Sequence, residues 1–261
     1  MPLPSTHAER NRIRELLAEF DTRATQLETY LQQLQAVLVN PKNALAPHIH
    51  SFKWRLKDRQ SLRDKFFRKL DTAKRGGVAF DITRENMFVR INDLVGVRIL
   101  HLHTRQMKEI DTAIKSLIDD AGLTISEGPF ARMWDSETRS YFESIGIETR
   151  ESGPSMYTSV HYVIDSNSKN RYTAELQVRT LAEELWGEVT HSVDYPHPSR
   201  DPASREEIRV LARVASSCTR LVDAIFHTHN RAKLAAQRTA RKAAATRAAR
   251  KTKSVPRRER R

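Results

Sequence analysis

Apolar and small residues recur through the first forty positions at Ile13, Leu17, Phe20, Ala24, Leu27, Leu31, Leu34 and Leu38. Steps of four and three keep side chains on one face of a helix, so this pattern predicts one helix over 6–38 with a heptad-like seam. Such a seam either docks on the rest of the domain or pairs with a second copy. Pro41 and Pro47 bracket the exit loop. The pattern then predicts a short strand over 48–55 and a basic helix over 61–73 that Gly76 and Gly77 break. A Val- and Ile-rich strand follows over 94–102, and an amphipathic helix over 105–121 is closed by Gly122. Residues 126–156 are polar and hold Gly128, Pro129, Gly146, Gly153 and Pro154; they read as loop or irregular insertion with some short elements. Strands over 157–164 and 172–178, joined by a polar turn, suit an antiparallel hairpin. A helix over 181–193 is ended by Pro196, Pro198 and Pro202, and a last core helix covers 204–229. The expected class is α+β, a mixed sheet with helices packed against it. The expected organisation is an N-terminal helix (1–44), a body (45–229) and a tail (230–261).

Charge separates the tail from the body. The net charge is +13, but residues 231–261 hold 13 Lys and Arg and one acid, Glu259, leaving 32 basic and 31 acidic residues in 1–230. The tail suits nucleic acid or an acidic partner, and tRNA or ribosomal RNA are its candidates. Its Ala/Arg/Lys composition favours helix up to Pro256, yet it has almost no large apolar residue to pack, so a solvated, marginal helix is expected. Cys218 is the single cysteine, which excludes an intrachain disulfide and a cysteine-built metal site. With no secretory apolar region and no apolar run near 18 residues, the expected home is the cytoplasm.

Strand parity gathers chemistry. Glu175, Gln177 and Arg179 share one face of their strand; Tyr157, Ser159 and His161 share one face of theirs; Arg55 and Lys57 share a face of the first. A plain solvent face more often carries Thr, Lys and Glu. Asp93 stands at the mouth of a buried strand, and Gly96 lets a backbone or ligand approach closely. Asp93 and Glu175 together would form an oxygen-ligand Mg²⁺ site, of the kind completed by substrate phosphates. Each alone is more often a cap or an ion-pair partner. Ser61, Lys65, Arg68 and Lys69 line one face of a helix that Ser61 would cap, and its N-terminus with Lys57 would cradle phosphate.

These blocks occur in order: Arg55-x-Lys57-x-x-x-Ser61-x-x-x-Lys65, Asp93-x-x-Gly96-x-Arg98, Tyr157-x-Ser159-x-His161 and Glu175-Leu-Gln177-Val-Arg179-Thr180, continued by Trp186, His191 and Tyr195. Together they resemble the synthetase domain of RelA/SpoT proteins in its small stand-alone form, over roughly residues 45–229. The resemblance implies a nucleotidyltransferase-like fold and an ATP-dependent pyrophosphokinase acting on the 3′-hydroxyl of GTP or GDP. It implies that Asp93 and Glu175 hold Mg²⁺ and carry catalysis. Arg55 and Arg98 would flank the ATP adenine, with Lys57, Ser61 and Lys65 on its phosphates. Tyr157 would stack on the acceptor guanine, with Ser159, His161, Gln177 and Arg179 around it. Small relatives are often multimeric, so a homo-oligomer is a candidate assembly. The chain departs from the family in having Met156, where Gly usually precedes the stacking tyrosine, and Arg150 as the only nearby cation. No His-Asp dipeptide of a hydrolase domain is present. Two other readings stand beside this one: pyrophosphorylation of the tRNA 3′ end, as in toxic small relatives, and a catalytically silent nucleotide- or RNA-binding module.

Overall fold

A computed structural model describes residues 4–194 and 201–253. The expected α+β class holds. The N-terminal seam forms two helices, α1 (His7–Thr22) and α2 (Ala24–Leu38), rather than one. Thr6 and Glu9 close α1 with a reciprocal capping box. The break is at Arg23, whose φ of −99° and ψ of 5° leave the helical region. Its side chain bonds Glu19 at 3.0 Å and the Tyr172 hydroxyl at 3.3 Å. The bend lets both halves bury their stripes in one core: Ile13, Leu17 and Phe20 from α1, Leu27, Leu34 and Leu38 from α2. The Tyr30 hydroxyl donates to the Ile164 carbonyl at 2.9 Å. The seam is therefore spent on the chain's own sheet.

Six strands form that sheet: β1 (Ser51–Leu56), β2 (Val95–His101), β3 (Thr124–Met133), β4 (Glu148–Glu151), β5 (Ser159–Asp165) and β6 (Thr173–Thr180), in the order β1-β2-β6-β5-β3-β4. β2 and β6 are parallel, as are β3 and β4, and the other pairs are antiparallel. α3 (Arg59–Arg75) turns Leu62, Phe66 and Leu70 to the core, and α5 (Met107–Asp120) does the same with Ile110, Ile114 and Ile118. Short α4 (Met87–Arg90) precedes β2.

The expectation of a loop over 126–156 is overturned. The segment holds most of β3, then α6 (Ser136–Ser144) and β4. Gly128 hid the strand: register shifts on both sides of Glu127 break the two-residue period, and at φ 92° a Cβ on Gly128 would lie 2.4 Å from the His161 carbonyl oxygen. The strand read from Tyr157 begins instead at Ser159.

α7 (Leu181–Asp194) leaves β6 without a loop. α8 (Pro202–Lys253) runs unbroken for 52 residues, so the expected core helix continues without a break into the tail as far as Lys253. Pro202 opens α8; Pro196, Pro198 and Tyr195 lie outside the described residues. Trp186, Ala212 and Ala215 form a small second core between α7 and α8, with Tyr157 packed against it. Among the described residues no helix is long and apolar enough to cross a membrane.

Candidate active site

Register brings the expected residues together. Arg55 lies opposite Gly96, Gly96 opposite Glu175, Arg98 opposite Gln177, and Gln177 opposite His161. Residues directly opposite point to the same face, so four adjacent strands present Arg55, Arg98, Glu175, Gln177 and His161 on one side. Gly96 makes this layer possible in a way the sequence reading did not foresee. The group that approaches it is the Arg55 side chain, whose Cγ and Nε would lie 3.2 and 3.3 Å from a Cβ there.

Asp93 sits at the entrance to β2. Lys57 Nζ donates to one of its oxygens at 2.9 Å and Lys65 Nζ to the other at 2.5 Å. Burial pushes this carboxyl upward, but the two ammonium groups outweigh burial and hold it down to about 2. Burial, with Lys65 and Arg90 close by, pushes the Lys69 ammonium below its usual range. This corner is thus crowded with cations around one ionised acid. The cap of α3 is Asp58, not Ser61: Asp58 accepts from the Ser61 N–H at 2.8 Å, and the Ser61 hydroxyl also bonds that carboxylate.

Glu175 is fixed at both oxygens, by His161 Nδ1 at 3.1 Å and by Gln177 Nε2, which donates at 2.9 Å. Burial raises its pKa, yet the His161 and Gln177 contacts together bring the net direction down. The charge of Asp93 acts on Glu175 in the upward direction, so the two acids are within electrostatic reach of each other. Three neighbouring buried atoms on this face, His161 Nε2, Gln177 Oε1 and Arg179 Nε, have no hydrogen-bond partner among the described residues. Buried polar atoms are normally paired, so three together mark a surface shaped for a polar ligand.

Tyr157 lies just before β5. The Arg179 guanidinium carbon is 4.5 Å from its ring centroid, and the His161 and Trp186 rings are 5.7 and 6.4 Å away. Ser159 is buried, with its hydroxyl 3.4 Å from the Val178 carbonyl that it donates to, so it faces backbone.

Two residues, Glu184 and Phe130, escaped the sequence reading, and Arg150 was read there only as the cation nearest Tyr157. Glu184, in the first turn of α7, accepts from Lys53 at 2.8 Å, Arg98 at 2.7 Å and Arg179 at 3.2 Å, joining cations from β1, β2 and β6. These partners hold its carboxyl down to about 2 against the upward push of burial. A signal existed in Thr180-x-x-Glu183, a capping box that places the helix start: Thr180 N–H donates to Glu183 at 2.8 Å and Glu183 N–H to Thr180 at 3.2 Å. The next residue then faces the sheet. Phe130 stacks on His161 with centroids 5.2 Å apart, and the Arg150 guanidinium lies 3.6 Å over Phe130. Both belong to the segment expected to be loop, so no strand parity was available to find them.

Among the described residues no three His, Cys, Asp or Glu side chains gather to hold a metal. Asp93 and Glu175 are each hard oxygen donors of the kind Mg²⁺ takes, and two carboxylates suit it only where phosphate oxygens complete the coordination.

A model of the region found in RelA/SpoT proteins matches residues 54–200. Among solved structures, a GTP pyrophosphokinase family protein from Streptococcus pneumoniae is 19% identical, with 82% of this chain and 93% of that one covered at a TM-score of 0.55. Small alarmone synthetase 1 from Bacillus subtilis, solved with its product pppGpp, is 17% identical over 80% and 93% at a TM-score of 0.50. The protein smu.1046c from Streptococcus mutans UA159 is 19% identical over 85% and 98% at a TM-score of 0.52. At these identities the likeness establishes the fold. No curated protein matches the sequence.

Proposed function

Because this chain belongs to the RelA/SpoT family, we propose that it is a pyrophosphokinase that moves the β,γ-pyrophosphate of ATP to the 3′-hydroxyl of GTP or GDP, forming (p)ppGpp. The observation that carries this reading is the arrangement in which strand register puts Glu175 on one face with Arg55 and Arg98, while Asp93 at the entrance to β2 is held by Lys57 and Lys65.

On the donor side, Arg55 and Arg98 offer planar cations to the adenine. Lys57 and Lys65, which now neutralise Asp93, have phosphate oxygens to turn to when ATP enters. Ser61 stands at the first turn of α3 beside them. Asp93 and Glu175 are the groups that would hold Mg²⁺, which when bound screens phosphate charge and lowers the pKa of a nearby hydroxyl.

On the acceptor side, Tyr157 and Arg179 form an aromatic and cationic wall, and His161 Nε2, Gln177 Oε1 and Arg179 Nε offer polar contacts. Ser159 shapes the strand behind them. The 3′-oxygen attacks the β-phosphorus, the bond from that phosphorus to the α,β-bridging oxygen breaks, and AMP leaves. The hydroxyl proton passes to Glu175, whose ionised oxygens His161 and Gln177 orient. Alignment and charge neutralisation are the main tasks the site must perform.

The test is incubation of the full chain with Mg²⁺ and β-labelled ATP, plus GDP, GTP or deacylated tRNA, with products separated chromatographically. Label on GDP or GTP is expected. Label on tRNA alone overturns the acceptor; no transfer to any of the three overturns the activity.

A further inference from the structure

We infer that the C-terminal half of α8 is a mounted RNA-binding arm, separate from the nucleotide site. The choice of RNA over DNA rests on the ribonucleotide chemistry proposed above; the phosphate-binding character rests on the helix itself.

The mount is specific. Asp223 accepts from the Arg105 backbone N–H at 3.0 Å and bonds His103 Nδ1 at 2.7 Å. Phe226 stacks on His103 with centroids 4.5 Å apart, and Thr219 bonds Thr180 at 3.2 Å. One turn earlier in α8, Ser216 donates to Asp135, the N-cap of α6, at 2.9 Å. After Phe226 the body is left behind: every side chain from His227 to Ala245 is exposed. The helix nevertheless continues to Lys253. At 1.5 Å per residue, residues 231–253 extend it by roughly 35 Å.

The composition of this extension excludes the other uses of a free helix. It carries nine Lys and Arg and no Asp or Glu. Leu234 is its single large apolar residue and is itself exposed. One leucine makes neither a coiled-coil seam nor the apolar face an interfacial membrane helix buries. Arg231, Arg238, Arg241 and Lys242 follow at steps of seven, three and one, which keeps them along one side of the helix. Like charges packed along a helix repel one another, and a polyanion with closely spaced charges offsets that repulsion. A phosphate backbone has that spacing, and binding releases its condensed counterions. Its Arg and Lys side chains pair with phosphate oxygens whatever the base, so binding should track backbone rather than sequence.

The test uses the full chain and the variant R231E/R238E/R241E, with fluorescence anisotropy on an RNA hairpin, a DNA hairpin of the same sequence and anionic phospholipid vesicles. The wild type should bind RNA with an affinity that falls roughly a hundredfold between about 50 and 200 mM salt, as expected for about four phosphate contacts. The variant should bind at least about tenfold more weakly with a shallower salt slope. Its helix content by circular dichroism and its turnover of free nucleotides should match wild type. Unchanged RNA affinity in the variant, tighter binding of DNA than of RNA, or binding of vesicles without RNA overturns the inference. If the variant loses RNA while neither protein transfers pyrophosphate, the arm stands and the proposed reaction falls.

Discussion

Arg98 and Glu184 are joined by a 2.7 Å ion pair that ties the second strand to the first turn of α7, and the same carboxylate reaches Arg179 at 3.2 Å. One acid thus holds a cation assigned to the donor and a cation assigned to the acceptor.

Replacing Glu184 by Gln should therefore raise KM for both ATP and the acceptor, with a smaller change in kcat. It should also destabilise the fold by about 1–3 kcal/mol, because Arg179 is left buried without its counter-charge. Glu188, half exposed and bound to the same Arg98 at 3.0 Å, is the control, and E188Q should cost less than about 1 kcal/mol. Steady-state kinetics and urea unfolding check both. A KM change confined to one substrate would break the link drawn between the two sides.

Glu175→Gln removes the proposed proton acceptor while keeping shape and the contact to His161. Turnover should fall by about 10²–10⁴-fold, the usual span for a general base, with ATP affinity by calorimetry little altered. Near-normal turnover refutes the role.

Asp93 gives a pH signature. Its pKa lies at about 2 against an ordinary 3.8, because Lys57 and Lys65 overcome burial. A depressed carboxyl contributes stability that is fully present above the ordinary pKa and is lost as pH falls through the folded value. The contribution is about 2.5 kcal/mol by the usual 1.4 kcal/mol per unit. Wild type should exceed Asp93→Asn in stability by a constant margin between about pH 5 and 8, and the margin should shrink from about pH 4 to 2. Urea midpoints across that range measure it. A margin independent of pH at the acid end contradicts the lysine pairing.

Gly187→Ala opposes two effects. Alanine favours a helix interior by about 1 kcal/mol over glycine. Its Cβ, however, would sit 2.6 Å from Arg179 Nη1, the atom that bonds Glu184. Because that atom ends a flexible side chain, the arginine moves rather than the helix. Melting temperature should change little while KM for the acceptor rises several-fold. A clear loss of stability with unchanged KM would mean that Arg179 serves folding alone.

Much of the site was legible because it is carried by strands. Glu175 and Gln177 follow a two-residue period, and so does His161 on its own strand. Register then sets His161 and Gln177 opposite each other. Asp93, Lys57 and Lys65 were legible as residue types, but their mutual neutralisation was not. The 126–156 segment misled the reading because its glycine and register shifts erase the period that marks a strand. The N-terminal seam was read correctly as a helical stripe and incorrectly as one rod, since Arg23 at the bend meets Tyr172, a residue far along the chain.

By itself, the sequence determined the helix and strand periods, the division of charge between a neutral body and a basic end, and the ordered blocks that mark the family. These are local properties, set by the spacing of side chains along a helix or strand. The tertiary structure decided which strands lie side by side, and through that the convergence of three cations on Glu184, the stack of Phe130 on His161 and the mounting of the basic helix on His103. Each of these contacts joins segments whose separate patterns say nothing of one another, because only the strand order and register of the folded sheet bring them within bonding distance.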